Sequence, residues 1–161
     1  MTSDIHQVLM TVASRVFETS AFMRVLPPEE VELSQSPVSL AASISFSGPL
    51  EGRLIFAISP EILPLMVTSM LGLDEIEEIG EEAKRDALLE ILNIICGNVL
   101  TEIHGDRPVF KLSPPELVTS EEMEAIIATA PRENQATFAV ENTRADLILL
   151  MENKEKAEGT P

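Results

Sequence analysis

Apolar side chains recur with two different periods along this chain, and the order of the two periods constrains the fold more than any other feature. Between residues 38 and 47, apolar side chains alternate with small or polar ones, which is typical of a strand with one buried face. Helical spacing is found instead at residues 3–19 and over the long stretch 80–104. The chain must therefore pack long helices against a sheet.

Shorter patterns and turn residues predict the remaining elements. They comprise a loop at 25–37, a turn over Gly48-Pro49 and Gly52, a strand at 54–58, a helix from Pro60 to about Leu71, a strand at 108–113 ended by Pro114-Pro115, a short helix at 120–128, and a final hairpin of 136–140 and 145–151 across Asn142-Thr143. Hairpins on either side of a helical pair favour a largely antiparallel sheet. The predicted fold class is α+β, with the long helices packed on one face of that sheet.

The length of 161 residues suits one domain, predicted at 1–152, with a flexible charged tail at 153–161. The 27 acidic and 11 basic side chains give a net charge of −16. This charge would repel nucleic acids, anionic membranes and free anionic substrates, so we expect none of them as partners.

The few cysteine and histidine side chains predict neither a disulfide nor a metal site. Cys96 is the only cysteine, and His6 and His104 lie far apart in the sequence. The N-terminus does not resemble a signal peptide, and no run of 18 apolar residues occurs. We therefore expect a cytoplasmic protein without a bound metal.

A narrow polar stripe crosses the long helix. At 100° per residue, Asp86, Glu90, Asn93 and Gly97 fall on one line. The opposite side and the flanks of the stripe are apolar: Leu88, Ile91, Leu92, Ile95 and Val99 lie opposite, and Leu89, Ile94 and Leu100 lie beside it.

This stripe has two interpretations. A surface helix normally has a broad polar face, and here the proportion is reversed. On spacing alone, the stripe is simply the solvent-exposed edge of a core helix. Alternatively, Gly97, which costs helix stability by about 1 kcal/mol relative to alanine, leaves room for another protein surface to approach.

The stripe resembles the signature of the CheC/CheX/FliY phosphatases. That signature has Asp or Ser, then Glu four residues later, Asn three residues after that, and Pro after about 22 intervening residues. The matching residues are Asp86, Glu90, Asn93, the following pair Gly97-Asn98, and Pro115, which comes one residue early and next to Pro114. A single signature between a hairpin and a strand ending in proline is most similar to CheX, and the matching order of elements extends over roughly residues 5–151.

The resemblance implies a CheC-like fold and a phosphatase that acts on the aspartyl phosphate of a CheY-like receiver domain. It implies that Asn93 orients the hydrolytic water, because a carboxamide both donates and accepts hydrogen bonds. It implies that Glu90 pairs with the active-site lysine of the receiver.

The other site residues are expected to bind the partner or to shape the site. Asp86, Gly97, Leu89 and Ile94 would contact the receiver, and Pro115 would shape the strand end. The Mg²⁺ would belong to the receiver, so no cofactor is expected on this chain.

Two alternatives remain at this point. One is a non-catalytic adaptor of the same fold that binds a receiver domain or a component of the flagellar switch. The other is a structural or oligomeric scaffold without phosphate chemistry. The resemblance to CheX also implies a homodimer formed by sheet exchange or by edge pairing.

Overall fold

The computed structural model describes residues 4–72, 79–105 and 110–152. These residues form four helices and seven strands, together with three short 3₁₀ turns. The helices are α1 Ile5–Ser20, α2 Leu63–Leu71, α3 Glu81–His104 and α4 Ser120–Thr129. The strands are β1 Val25–Leu26, β2 Leu40–Ser47, β3 Gly52–Ile58, β4 Lys111–Leu112, β5 Glu116–Val118, β6 Gln135–Val140 and β7 Thr143–Met151.

The strands form one antiparallel sheet in the order β1-β6-β7-β3-β2-β4, with β5 also paired to β2. The two hairpins β2–β3 and β6–β7 meet at the centre of the sheet, where β3 pairs with β7 along its whole length. The α+β class and the antiparallel sheet predicted from the sequence are therefore confirmed.

The main core lies between one face of the sheet and the long helices α1 and α3. Phe17 of α1 packs against Phe56 of β3 and Phe138 of β6, with ring centroids 5.9 and 6.4 Å apart. Alternate strand residues such as Ile44 and Leu54 face this core, as the period of two requires. The placement of the long helices on one face is confirmed.

Helix α3 is long and apolar enough to cross a membrane by length and composition. Its apolar residues are explained by the core instead, because it packs between α1 and α2 above the sheet. The buried side chains are Ala87, Leu88, Ile91, Leu92, Ile95, Cys96, Val99 and Leu100.

The short helix α4 covers the other face of the sheet. Met123 and Ile126 pack there on Ala57, Ile55 and Ile148. The small side chains of β2, such as Ala41 and Ser43, point to this face. Because these side chains are small, the short helix α4 packs close to the sheet there.

The structure corrects three boundaries of the predicted hairpins and loop. The predicted loop 25–37 contains strand β1, which pairs with the end of β6. The final hairpin turns at Glu141-Asn142, one residue earlier than predicted, because Val140 pairs with Thr143 and Glu141 takes a positive φ of 58°.

Gly52 lies inside β3 rather than in the turn. A Cβ atom at this position would collide with the carbonyl oxygen of Leu150 on the neighbouring strand and with the ring of Phe46. Gly52 is therefore required by the close approach of β3 to its neighbours and not by a turn.

The strand predicted at 108–113 is shorter, and the chain does not leave the sheet at the prolines. Within the described residues, β4 covers only Lys111–Leu112, and pairing to β2 resumes after Pro114-Pro115 as β5. Residues 106–109 and the predicted tail 153–161 lie outside the described residues, and the single-domain boundary at 152 stays a prediction.

Candidate functional site

The polar side chains of the stripe on α3 are exposed, and the opposite side of the helix is buried. Asp86, Glu90 and Asn93 are all exposed to solvent. Ile91 and Leu92, which lie between Glu90 and Asn93 in sequence, are completely buried. Because residues three apart are neighbours on a helix, with Cβ atoms about 5–6 Å apart, Glu90 and Asn93 form a pair that reaches outward together.

An open cleft of about 480 Å³ runs along this stripe. Asp86, Leu89, Glu90 and Asn93 form one wall of the cleft. The connection between β4 and β5 forms the opposite wall, with Leu112, Ser113, Pro114 and Pro115. The fold thus places Pro115 in the same cleft as Asp86, Glu90 and Asn93, although it follows them by more than twenty positions in the sequence.

The side chains of Glu90 and Asn93 are free to bind a partner. In residues 4–72, 79–105 and 110–152, neither side chain forms a hydrogen bond or an ion pair. A free carboxamide can donate to one oxygen and accept from a water molecule at the same time, and a free carboxylate can accept from an incoming cation. The arrangement can therefore orient a water molecule next to a site that holds a positive charge.

The second wall contains residues that the sequence did not single out. Leu112, Ser113 and Pro114 line the cleft beside Pro115, and Leu112 is partly exposed although it is apolar. The only sequence signal for them is their position next to Pro115, and the folding of 111–118 against the edge of β2 brings them to α3.

Two of the residues predicted to bind the partner lie outside the cleft. Ile94 is partly buried against the main core, and its carbonyl oxygen accepts a hydrogen bond from Asn98. Gly97 lies on α3 beyond the cleft, and a Cβ atom built there would meet nothing within 4 Å among the described residues. Packing against the described residues therefore does not require a glycine at position 97.

Cys96 lies on the buried side of α3 and takes no part in the cleft. Burial raises the pKa of its thiol to about 12, so the thiol stays protonated at neutral pH and is not a nucleophile. Within the described ranges, no three His, Cys, Asp or Glu side chains lie close enough together to hold a metal ion. The predicted absence of a metal on this chain stays a prediction.

A larger cleft of about 920 Å³ lies at the β6 edge of the sheet. Its basic residues are His6, Arg132 and Arg144, and two of these are already engaged. His6 bonds to the carbonyl oxygen of Gln135, and Arg144 forms an ion pair with the buried Asp146. Size alone therefore does not identify the site, and the α3 cleft with its two free side chains is the better candidate.

Comparison with known proteins gives one match to a protein family. The family model described as "Chemotaxis phosphatase CheX" matches residues 40–140. This segment contains the whole of α3 and both walls of the cleft. No curated protein sequence matches this chain.

Solved structures with the same fold come from several bacteria. The chemotaxis protein CheX from Desulfovibrio desulfuricans is 16% identical, with a TM-score of 0.67 over 93% of this chain and 100% of that chain. CheX from Borrelia burgdorferi, solved as a complex with CheY, BeF₃ and Mg²⁺, is 16% identical, with a TM-score of 0.63 over 95% of this chain and 100% of that chain. FliY from Thermotoga maritima is 15% identical, with a TM-score of 0.55 over 98% and 96% of the two chains.

The family match covers more than half of the chain, and the similar structures extend over nearly all of it. The fold of this chain agrees with this match. The chain therefore belongs to the chemotaxis phosphatase CheX family.

Proposed function

We propose that this protein hydrolyses the aspartyl phosphate of a CheY-like receiver domain, with Asn93 and Glu90 as its catalytic residues. The observation that carries this proposal is the exposed pair of Glu90 and Asn93 in the cleft of α3, whose side chains have no partner in the described part of the chain. The complex of CheX with CheY from Borrelia burgdorferi supports the choice of partner. The proposal places the protein in the cytoplasm, where such receivers are found.

Asn93 orients the attacking water. An acyl phosphate is already reactive, and what it lacks is a water molecule held in line with the leaving oxygen. A carboxamide does not titrate near neutral pH, so it contributes position rather than proton abstraction, as a glutamine does in GTPases.

Glu90 binds the active-site lysine of the receiver and fixes the register of docking. A carboxylate–ammonium pair is charge-assisted, and the next turn of the helix then brings Asn93 to the phosphoryl group. Among the described residues that line the cleft, two are carboxylates, Asp86 and Glu90, and none is a cation. The positive charge at the reaction centre therefore comes from the receiver, as its lysine and its Mg²⁺.

The remaining predicted residues complete the docking surface. Asp86 and Leu89 line the cleft and contact the receiver, while Ile94 and Gly97 extend the contact along α3. Pro115 shapes the opposite wall and does no chemistry. The protein binds no cofactor of its own and acts as a homodimer.

The test is a dephosphorylation assay with a phosphorylated CheY-like receiver from the same source. Asn93→Ala should lower the assisted rate by at least on the order of 10²-fold, because the water loses its positioning. Glu90→Ala should mainly weaken receiver binding and reduce its dependence on salt, since one charge pair is lost.

Two substitutions serve as matched controls. Asn142→Ala changes an exposed asparagine in the β6–β7 turn, and Glu124→Ala changes an exposed glutamate on α4, across the sheet from the cleft. Both should keep the full rate. An Asn93→Ala protein that folds and still works at the full rate would contradict the mechanism.

The same experiment separates catalysis from simple binding. If the wild-type protein binds the phosphorylated receiver but the label decays at the unassisted rate, the protein is a receiver-binding adaptor of the CheX fold and the catalytic proposal is wrong.

A further inference from the structure

The wall of the cleft that faces α3 is a bulge in the edge of the sheet. Leu112 of β4 pairs with Phe46 of β2, and Glu116 of β5 pairs with Ser43 of the same strand. Between these two pairs, β2 has two residues, whereas the edge segment has three, Ser113, Pro114 and Pro115. One extra residue on one strand is the defining property of a β-bulge, which bends the strand and is common beside active sites.

The two prolines explain why the bulge forms here. Neither Pro114 nor Pro115 has a backbone N–H, so neither can donate a ladder hydrogen bond to β2. The diproline segment thus contributes no N–H donor of its own to the sheet, and its attachment depends mainly on the residues that precede and follow it. The position of the wall therefore depends on the residues at its two ends.

Ser113 holds the first end of the wall through two hydrogen bonds to one residue of β2. Its backbone N–H donates to the carbonyl oxygen of Ser45 at 2.9 Å. Its Oγ accepts the backbone N–H of Ser45, also at 2.9 Å. The serine hydroxyl thus satisfies a backbone donor that the bulge would otherwise leave without a partner at this edge.

The same hydroxyl also reaches into the bulge. Ser113 Oγ lies 3.4 Å from the carbonyl oxygen of Pro114, to which it can donate its hydrogen. Ser113 itself lines the cleft opposite Asn93. One side chain therefore connects the edge of β2, the diproline segment and the cleft.

We propose that Ser113 is a positioning residue of the site: its hydroxyl fixes the diproline wall against β2 and so sets how the receiver is oriented towards Asn93. This inference rests on the proposed phosphatase function. Ser113 touches neither the phosphoryl group nor the water, and it acts through the wall that Pro114 and Pro115 form.

The position of the wall bears on the rate more than on the affinity. The receiver's lysine binds Glu90 on α3, which does not depend on the wall, so binding is largely kept when the wall loosens. The angle at which the aspartyl phosphate meets Asn93 does depend on the wall, and small misplacements of reacting atoms cost large factors in rate.

The experiment measures the kcat and KM of Ser113→Ala and Ser113→Thr with the phosphorylated receiver. Ser113→Ala should lower kcat about tenfold and leave KM within about twofold, because orientation is lost while the Glu90 contact remains. Ser113→Thr keeps the hydroxyl and should restore kcat. Ser47→Ala removes a hydroxyl from an exposed position of β2, opposite Lys111, where the hydroxyl makes no hydrogen bond among the described residues, and this variant should behave as the wild type.

Hydrogen exchange at the Ser45 amide provides a second measurement that needs no turnover. Ser113→Ala should speed this exchange, and Ser113→Thr should not. Unchanged exchange in Ser113→Ala would overturn the inferred contact, and faster exchange with a wild-type kcat would overturn the positioning role. A lack of turnover by the wild-type protein would instead overturn the proposed function, and the inference with it.

Discussion

Two asparagines of α3, Asn98 and Asn93, differ in whether their side chains already have hydrogen-bond partners. Asn98 lies on the side of α3 that faces α1, where its amide nitrogen donates to the carbonyl oxygen of Ile94 and its amide oxygen accepts from Arg15. Arg15 also pairs with Glu102, so this group joins the two helices. Asn93 lies at the cleft and has no such partner among the described residues. Its hydrogen-bonding capacity is therefore available to another molecule that enters the cleft.

Gly97 gives a test at the residue scale because stability and function should change in opposite directions. Gly97→Ala should stabilise the protein by up to about 1 kcal/mol, since alanine favours the helix and the space for its methyl group is free. The Tm should then rise by about 2–4 °C. If Gly97 admits the receiver surface, the same variant should bind the phosphorylated receiver more weakly.

Thermal unfolding followed by circular dichroism and receiver binding measured by calorimetry would check both effects. A stabilised Gly97→Ala protein with wild-type affinity would remove Gly97 from the docking surface and leave the assignment of Glu90 and Asn93 unchanged.

At the scale of the element, the middle of α3 is exposed only along the one side that the sheet, α1 and α2 do not cover. The sheet covers it from below, and α1 and α2 flank it. The β4–β5 connection stands on the remaining side but leaves an open cleft rather than a packed contact. The narrow polar stripe is the consequence of this arrangement, because a helix with three packed sides has only one line on which polar side chains can stay hydrated.

Helix α4 should matter for stability and not for turnover, because it lies on the sheet face opposite α3. Thr119 caps α4 by accepting the N–H of Glu122 at 3.1 Å. Thr119→Ala should lower the free energy of unfolding by about 1 kcal/mol, which corresponds to about 2–4 °C in Tm. Dephosphorylation below the transition should proceed at the wild-type rate.

Ser120→Ala is the matched control, because it removes a neighbouring exposed hydroxyl that caps nothing in the described part of the chain. Denaturant unfolding should place it within about 0.5 kcal/mol of the wild type. A strong loss of turnover in Thr119→Ala at full folding would mean that the two faces of the sheet are coupled.

At the scale of the whole molecule, charge and sheet edges govern association. The net charge of −16 opposes contacts with other acidic surfaces, so partners must offer cations or backbone hydrogen bonds. At the β1 edge, β1 pairs only with Val140 and Ala139 of β6. Residues 135–138 of β6 thus have a single pairing strand among the described residues.

A strand edge with only one pairing strand can pair with a second copy of the chain. Light scattering on the purified protein should therefore give twice the chain mass of 17.6 kDa, and the value should hold across the concentrations used for phosphatase assays. A mass equal to one chain at these concentrations would show that the predicted homodimer does not form.

The sequence by itself determined the elements whose signal is local. The helix α3 and its polar stripe follow from a period of 3.6, and β2 follows from a period of two, since each side chain is directed by its own backbone. The C-terminal end of α2 follows from Gly72, which takes a φ of 68° there. The motif of Asp86, Glu90 and Asn93 could be read from the sequence for the same reason.

Only the tertiary structure decided what stands opposite that stripe. Strand β5, strand β1 and the place of Gly52 depend on partners far away in sequence, and two- or three-residue strands have no periodicity of their own. The wall formed by Leu112, Ser113 and Pro114 reaches α3 only because β2 pairs with both β4 and β5. A cleft lies between two surfaces, and the distance between them is set by how segments far apart in the sequence pack against each other, which no local pattern encodes.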